Sequence, residues 1–307
     1  MICIISFIVL SILGIFSASH RALAREAFDC VLRRITFRPC NATFKDKMKG
    51  KIVGKLMKRS VFAAKLFNKY LEAFSWIFFI LMVASTFWAI KGAYNFYQYG
   101  SCNGLNQSGF CVFDPTGENN KISTISSDGQ CSLHKPSEEN LRLDGVKLEG
   151  FPEIKGNQKN SIVFIGCYNC DYSRKAYPDV MELVKKTNSD FKFVHFPVKD
   201  QTNFLSEYAY CAYNQDKDKF WILNQKLFES KKEDVQNSVF VDGLAREAGF
   251  DTEKINECAK SDETKKITEN QFQTIRDLKI YGTPTVFING KALVGPKPYR
   301  VYKGQLN

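Results

Sequence analysis

Cys167 and Cys170, in GCYNCDYSRKAYPD (166–179), are separated by two residues. That spacing serves half of a zinc site, a small bridge, or a redox pair that exchanges electrons with other thiols. A zinc site needs four ligands, often two such units. This chain has one unit, and its histidines, His20, His134 and His195, form no pair at ligand spacing. An inert bridge over two residues is strained and easily reduced. The redox reading is stronger if a buried strand turns into a helix at the pair. Unpaired backbone N–H groups and the positive end of the helix dipole then favour thiolate over thiol. Cys-X-X-Cys thiols so placed have pKa values of roughly 3.5–7, against about 8.5 for a free cysteine. The thiolate is the species that attacks disulfides. Cys167, expected to be nearer the helix end and more exposed, is read as the nucleophile. Cys170, one turn deeper, is read as the resolving thiol.

The flanking sequence supplies those elements. SIVFIGC reads as a short buried strand, and a helix is expected over 169–186. FKFVHFPV (191–198) reads as a second strand, with His195 as a core or strand-face residue. A helical block follows: NFLSEYAYCAYNQ, DKFWILNQKLFES, DVQNSVFVDGLAREAGF, DTEKINECAKS with Asp251 as an N-cap, and DETKKITENQFQTIRDLKI. TVFINGKALV closes the domain as two strands joined at Asn289-Gly290, a hairpin signal. Strand, helix, strand, helical block and hairpin make an α/β domain with a helical insertion.

KIYGTPTVFINGK (279–291) sets a Gly-Thr-Pro before a strand. Together with the cysteine motif, residues 156–307 resemble the DsbA-like branch of the thioredoxin superfamily. The resemblance implies a thioredoxin-like fold with a helical insertion, and a cis-proline at Pro284 facing Cys167 and Cys170. Thr283 would offer backbone groups to an extended substrate, with Tyr168 and Asn169 also on the substrate side. Cysteines at the positions of Cys211 and Cys258 form a structural disulfide in many relatives. The implied chemistry needs no cofactor or metal beyond the redox-active disulfide. The implied partners are cysteine-containing protein substrates and a membrane redox partner. Oxidation of substrates in an oxidising compartment is favoured over reduction or isomerisation by the same pair. The rival from another class is a membrane scaffold that binds clients without catalysis. Three departures stand out. Ser161 lies where many relatives carry a buried acid that moves protons. Pro178 falls eight residues past Cys170, and little chain remains for a C-terminal helix.

The formal net charge of +11 is local. Residues 21–70 hold 14 Lys and Arg against Glu26, Asp29 and Asp46, and residues 71–307 balance 29 bases with 29 acids. That pattern argues against nucleic acid as a partner. Apolar runs at 2–19 and 73–90 flank the basic stretch, each of about the minimum length for a bilayer. They predict two transmembrane helices ahead of the domain. Short basic loops stay cytoplasmic. The expected organisation is therefore a membrane helix (1–20), a basic amphipathic cytoplasmic segment (21–71), a second membrane helix (72–92), an extracytoplasmic linker with cysteines (93–155) and the catalytic domain (156–307). Cys30 and Cys40 are expected as reduced thiols. Cys102, Cys111 and Cys131 permit three single bridges, and the short turn-rich loop favours Cys102–Cys111.

Overall fold

The computed structural model describes residues 18–36, 50, 53, 54, 57, 58, 60–107, 109–123, 141, 143, 146, 148–198, 200–278, 280 and 282–307. The chain divides into two units, 1–90 and 91–307. The first apolar run lies outside the described residues except for its last two, and Cys3, Cys40 and Cys131 lie outside them too. Helix α1 (Ala18–Ile35) shares residues 18–20 with the expected membrane helix and otherwise runs through the basic segment. Cys30, on this helix, is disulfide-bonded rather than reduced. A bridge there is at odds with a cytoplasmic location, where thiols are kept reduced.

Helix α2 (Val61–Tyr99) starts in the basic segment and continues through the second apolar run, with non-helical angles at Tyr70 (φ −109, ψ 18). Its stretch Trp76–Tyr99, 24 residues, is the one helix among the described residues long and apolar enough to cross a membrane. At 1.5 Å per residue it spans about 36 Å, more than a hydrocarbon core of about 30 Å. Trp76, Phe78, Leu81, Phe87 and Trp88 are all exposed. The helix continues past residue 92, the expected end, through AYNFYQY to Tyr99.

The second unit is built on a five-stranded sheet, β1 (Glu153–Ile154), β2 (Ser161–Gly166), β3 (Asp190–His195), β4 (Thr285–Ile288) and β5 (Lys291–Val294). The spatial order is β1-β3-β2-β4-β5. β2 and β3 are parallel, and the other pairs are antiparallel. β2 is flanked on both sides, and its residues from Ile162 to Gly166 are buried. A strand covered on both faces requires that unbroken apolar run. β1 comes from the stretch expected to be linker.

Helix α3 (Asp171–Thr187) connects β2 to β3. It buries Ala176, Tyr177, Val180, Leu183 and Val184, the spacing of one helical face. Asn188 ends it in the left-handed region (φ 48). The insertion then runs α4 (Phe204–Gln215), α5 (Lys217–Glu229), α6 (Ser238–Glu247), α7 (Thr252–Lys260) and α8 (Asp262–Asp277). Four starts carry side-chain caps: Asp216 accepts from the Asp218 and Lys219 amides, Asn237 from Val239, Asp251 from Lys254 and Ser261 from Thr264. Such caps are worth about 1 kcal/mol each. The β4–β5 turn sets Asn289 and Gly290 at φ 50 and 81, the pairing of positive angles that a two-residue type I′ turn demands. The chain closes with a short helix, α9 (Tyr299–Lys303).

A disulfide joins Cys211 on α4 to Cys258 on α7, closing 47 residues of chain. Replacing both cysteines with alanine is expected to cost about 2–4 kcal/mol. Urea unfolding of the oxidised proteins would show it as a lower midpoint. An unchanged midpoint would mean that helix packing alone holds the insertion.

Candidate active site

Strand β2 ends at Gly166, and Cys167 follows at once. A Cβ on Gly166 would come within 2.2 Å of the Phe164 ring, so only glycine lets the chain turn there. The turn is closed by hydrogen bonds from the Cys170 amide to Cys167 O (3.2 Å) and from the Arg174 amide to Cys170 O (3.0 Å). The Cys167 amide donates to Ser173 Oγ at 3.1 Å. Cys170 is the N-cap residue of α3. Both cysteines are free thiols.

The two sulfurs are in different electrostatic situations. Burial pushes the Cys167 thiol up. That is outweighed by hydrogen bonds from the Cys170 thiol, the backbone amides of Val198 and Asn169, and the Thr202 hydroxyl, so its pKa falls below the ordinary value. Burial raises Cys170 strongly, and the Cys167 charge beside it raises it further. The hydroxyls of Ser123 and Thr283 face the Cys170 sulfur and pull weakly the other way. The two thiols are therefore unequal, and the first proton that leaves the pair leaves Cys167. Arg174, half-buried at the start of α3, donates to Tyr168 O at 2.5 Å and Leu227 O at 3.3 Å and adds positive potential near both sulfurs.

The expected cis bond is at Thr283–Pro284. Thr283 stands beside Cys170, so the proline loop and the cysteine turn meet in one site. Its backbone is already paired. The Ser123 amide donates to Thr283 O at 2.8 Å, and the Thr283 amide donates to Ser123 O at 2.9 Å.

Three expectations need correction. Cys167 is not the more exposed cysteine: it is 0% exposed and Cys170 is 1%. Its assignment as nucleophile therefore rests on charge, not access. Tyr168 does not face outward. Its ring packs on His195 (centroids 4.6 Å apart), Phe193 and Phe228, and its hydroxyl donates to the buried Asn224 Oδ1 at 2.5 Å. A large aromatic with a partner for its polar tip is more stable inside than at a wet rim. Asn169 is buried as well, with Oδ1 unpartnered.

Ser161, at the outer end of β2, is exposed and far along the strand from the thiols. Ser123, Thr202, Asn224 and Ser173 were not picked out from the sequence; isolated serines, threonines and asparagines in loops and helices carry no signal of role. His195 is half-buried with its Nδ1 withdrawn from solvent, and desolvation pushes its pKa down to about 4. One ring nitrogen, Nε2, meets Thr202 O at 3.1 Å, and Nδ1 has no partner. Cys102–Cys111 is a second disulfide, and Cys211–Cys258 lies apart in the helical insertion. Among the described residues no group of three His, Cys, Asp or Glu is gathered to hold a metal ion.

A pH titration tests the charge asymmetry. In the reduced protein, absorbance at 240 nm from the Cys167 thiolate is expected to rise with a midpoint below the free-thiol value of about 8.5. The signal should vanish in Cys167→Ala. The sign for stability follows from the depressed folded pKa. The reduced form gains stability that is complete above about pH 8.5 and is lost as pH falls through the lowered value. A midpoint at or above that of a free thiol would remove the asymmetry.

Residues 156–307 match a family model described as Thioredoxin. The "Probable disulfide bond formation protein D" of Bacillus cereus is 27% identical over 115 residues, which is 36% of this chain and 53% of that protein. The chain thus spans about half the length of that relative. Disulfide bond formation protein D of Bacillus subtilis is 27% identical over 164 residues, 48% of this chain and 73% of that one. Among solved structures, the thiol-disulfide exchange protein alpha-DsbA2 of Wolbachia pipientis aligns with 19% identity and a TM-score of 0.47 over 51% of this chain and 85% of that one.

Proposed function

Taking residues 156–307 as a thioredoxin-like domain of the DsbA type, we propose that the chain is a thiol–disulfide oxidoreductase that oxidises client cysteines outside the cytoplasm. The observation that carries this reading is the unequal pair at the start of α3, a lowered Cys167 beside a raised Cys170.

In the oxidised enzyme a client thiolate attacks Cys167 Sγ. The Cys167–Cys170 bond breaks, a client–Cys167 disulfide forms, and Cys170 leaves as a thiolate that takes up a proton. A second client thiolate attacks the client sulfur of that mixed disulfide and expels Cys167 as a thiolate. Two electrons pass from the client to the enzyme, and the client leaves with a new disulfide. The lowered pKa makes Cys167 a good leaving group in the second step. It also stabilises the reduced enzyme, which makes the disulfide form the better oxidant. No cofactor enters the cycle. The same residues would run it in reverse on a client disulfide. A membrane redox partner would remove the two electrons from the dithiol and restore the disulfide.

The apolar helix Trp76–Tyr99 supports an anchor with residues 100–307 on the oxidising side. The Cys102–Cys111 and Cys211–Cys258 disulfides favour the same side, whereas the Cys30 bridge, ahead of that helix, opposes it.

The deciding experiment is the reduction potential of Cys167–Cys170 in the detergent-solubilised full chain, read by alkylation and mass in glutathione buffers. A value near −120 mV supports disulfide donation, and one near −270 mV would make the protein a reductase. No reversible exchange at all would leave a client-binding scaffold.

A further inference from the structure

The stretch 100–107 and 109–123, expected as part of a cysteine-bearing linker, is fastened along the edge of the domain. The Cys102–Cys111 disulfide closes its first turn. Asn106 then pairs with the outer strand: its Nδ2 donates to Ala292 O at 2.9 Å and its Oδ1 accepts from the Val294 amide at 2.8 Å. Asp114 accepts from the amides of Glu118 (2.9 Å) and Asn119 (3.0 Å) and fixes the next turn. Lys297, fully buried, donates to Asn119 O at 2.9 Å and to Asn120 Oδ1. Glu118 pairs with Lys175 on α3 at 3.0 Å. The stretch ends at Ser123, whose backbone makes the two-bond bridge to Thr283 and whose hydroxyl faces Cys170.

The fit is close enough to constrain the other wall. A Cβ on Gly282 would lie 2.7 Å from Ser123 O, and one on Gly295, itself at φ +83, would lie 2.9 Å from Asn119 O. Both glycines leave room for this stretch. An extended peptide that adds to a strand edge needs free N–H and C=O groups on that edge. Ser123 has taken those of Thr283 and faces the buried Cys170, while Val198 and Thr202 stand against the buried Cys167.

We propose that residues 109–123, tied down by the Cys102–Cys111 disulfide, are a built-in strap that occupies the Thr283 edge of the active site. Ser123 holds the place on Thr283 that a client strand would take, beside Cys170, so a client pairs with Thr283 only when the strap lifts. The proposal relies on the oxidoreductase reading for the nature of the client, and on geometry alone for the closure.

The test uses the reduced full chain in detergent. Maleimide labelling of Cys170, the thiol that Ser123 faces, is followed by mass for wild type, Ser123→Pro and Asp114→Ala. Proline removes the amide that bonds Thr283. Alanine at 114 loosens the strap away from the sulfurs, and it keeps the test open if the proline variant does not fold. Both are expected to label about tenfold faster, the scale of losing one buried hydrogen bond. In wild type the Thr283 amide is expected to be protected from hydrogen exchange. Labelling at the wild-type rate in the folded variants, or an unprotected Thr283 amide, overturns the strap. If the variants label faster but no form exchanges disulfides with a cysteine-containing peptide, the strap stands and the oxidoreductase reading falls.

Discussion

Cys167→Ala is expected to remove disulfide exchange, lowering the rate on the order of a thousandfold or more, as the loss of an enzyme nucleophile does. Cys170→Ala is expected to do something different. Its Cys167 still attacks a client disulfide but has no neighbour to resolve the product. A client–enzyme mixed disulfide should therefore accumulate and be visible as an added mass. The contrast follows from the asymmetry of the pair, since Cys167 ionises before Cys170. If the adduct instead formed on Cys170 in Cys167→Ala and not the reverse, the roles would have to be exchanged. If neither variant changed the rate, the pair would not be the reactive group.

The largest effect on stability is expected at Phe164. It is fully buried on the central strand, and its ring meets those of Tyr177, Phe193 and Phe228 at centroid distances of 5.7, 6.2 and 6.1 Å. Phe164→Ala should cost about 3–5 kcal/mol, because so crowded a cluster cannot collapse into the space left. Urea unfolding at constant slope would measure it. The same ring backs Gly166, the residue before Cys167, so the variant should also raise the Cys167 titration midpoint. A cost below about 1 kcal/mol would mean that the aromatic layer rearranges to fill the gap.

The contrast between SIVFIGC and Ser123 shows what the sequence makes legible. A buried central strand needs consecutive apolar residues, and a type I′ turn needs Asn-Gly, so β2 and the Asn289-Gly290 hairpin are visible in the local pattern. Asp251 is visible for the same reason, since a cap acts within one helical turn. The cysteine pair was legible by spacing. Pro284 and the Cys211–Cys258 pairing became legible only through a family resemblance, because neither a cis bond nor a partner leaves a local trace. The pairing of Ser123 with Thr283 joins distant parts of the chain through backbone atoms that every residue has, so no residue type marks it. Tyr168 misled for a related reason. Its neighbours in sequence are reactive cysteines, but its neighbours in space are Phe193, His195 and Phe228. Lys297 is an ionisable residue, yet it is buried: desolvation pushes its pKa down to about 7, and Asn119 and Asn120 accept from its Nζ.

A strap that belongs to the same chain competes with clients at a fixed effective concentration, in the millimolar range for a short tether. Dilution does not weaken it, and expressing more enzyme does not overcome it. The apparent affinity for any client falls by the fraction of molecules with the strap lifted, so an open population of about 1% would weaken binding about a hundredfold. Folded proteins that present one stray thiol would then be poor clients. Unfolded chains, which offer many extended segments near their cysteines, would be good ones. The edge pairing at Thr283 would thus act as a threshold on which thiols are oxidised.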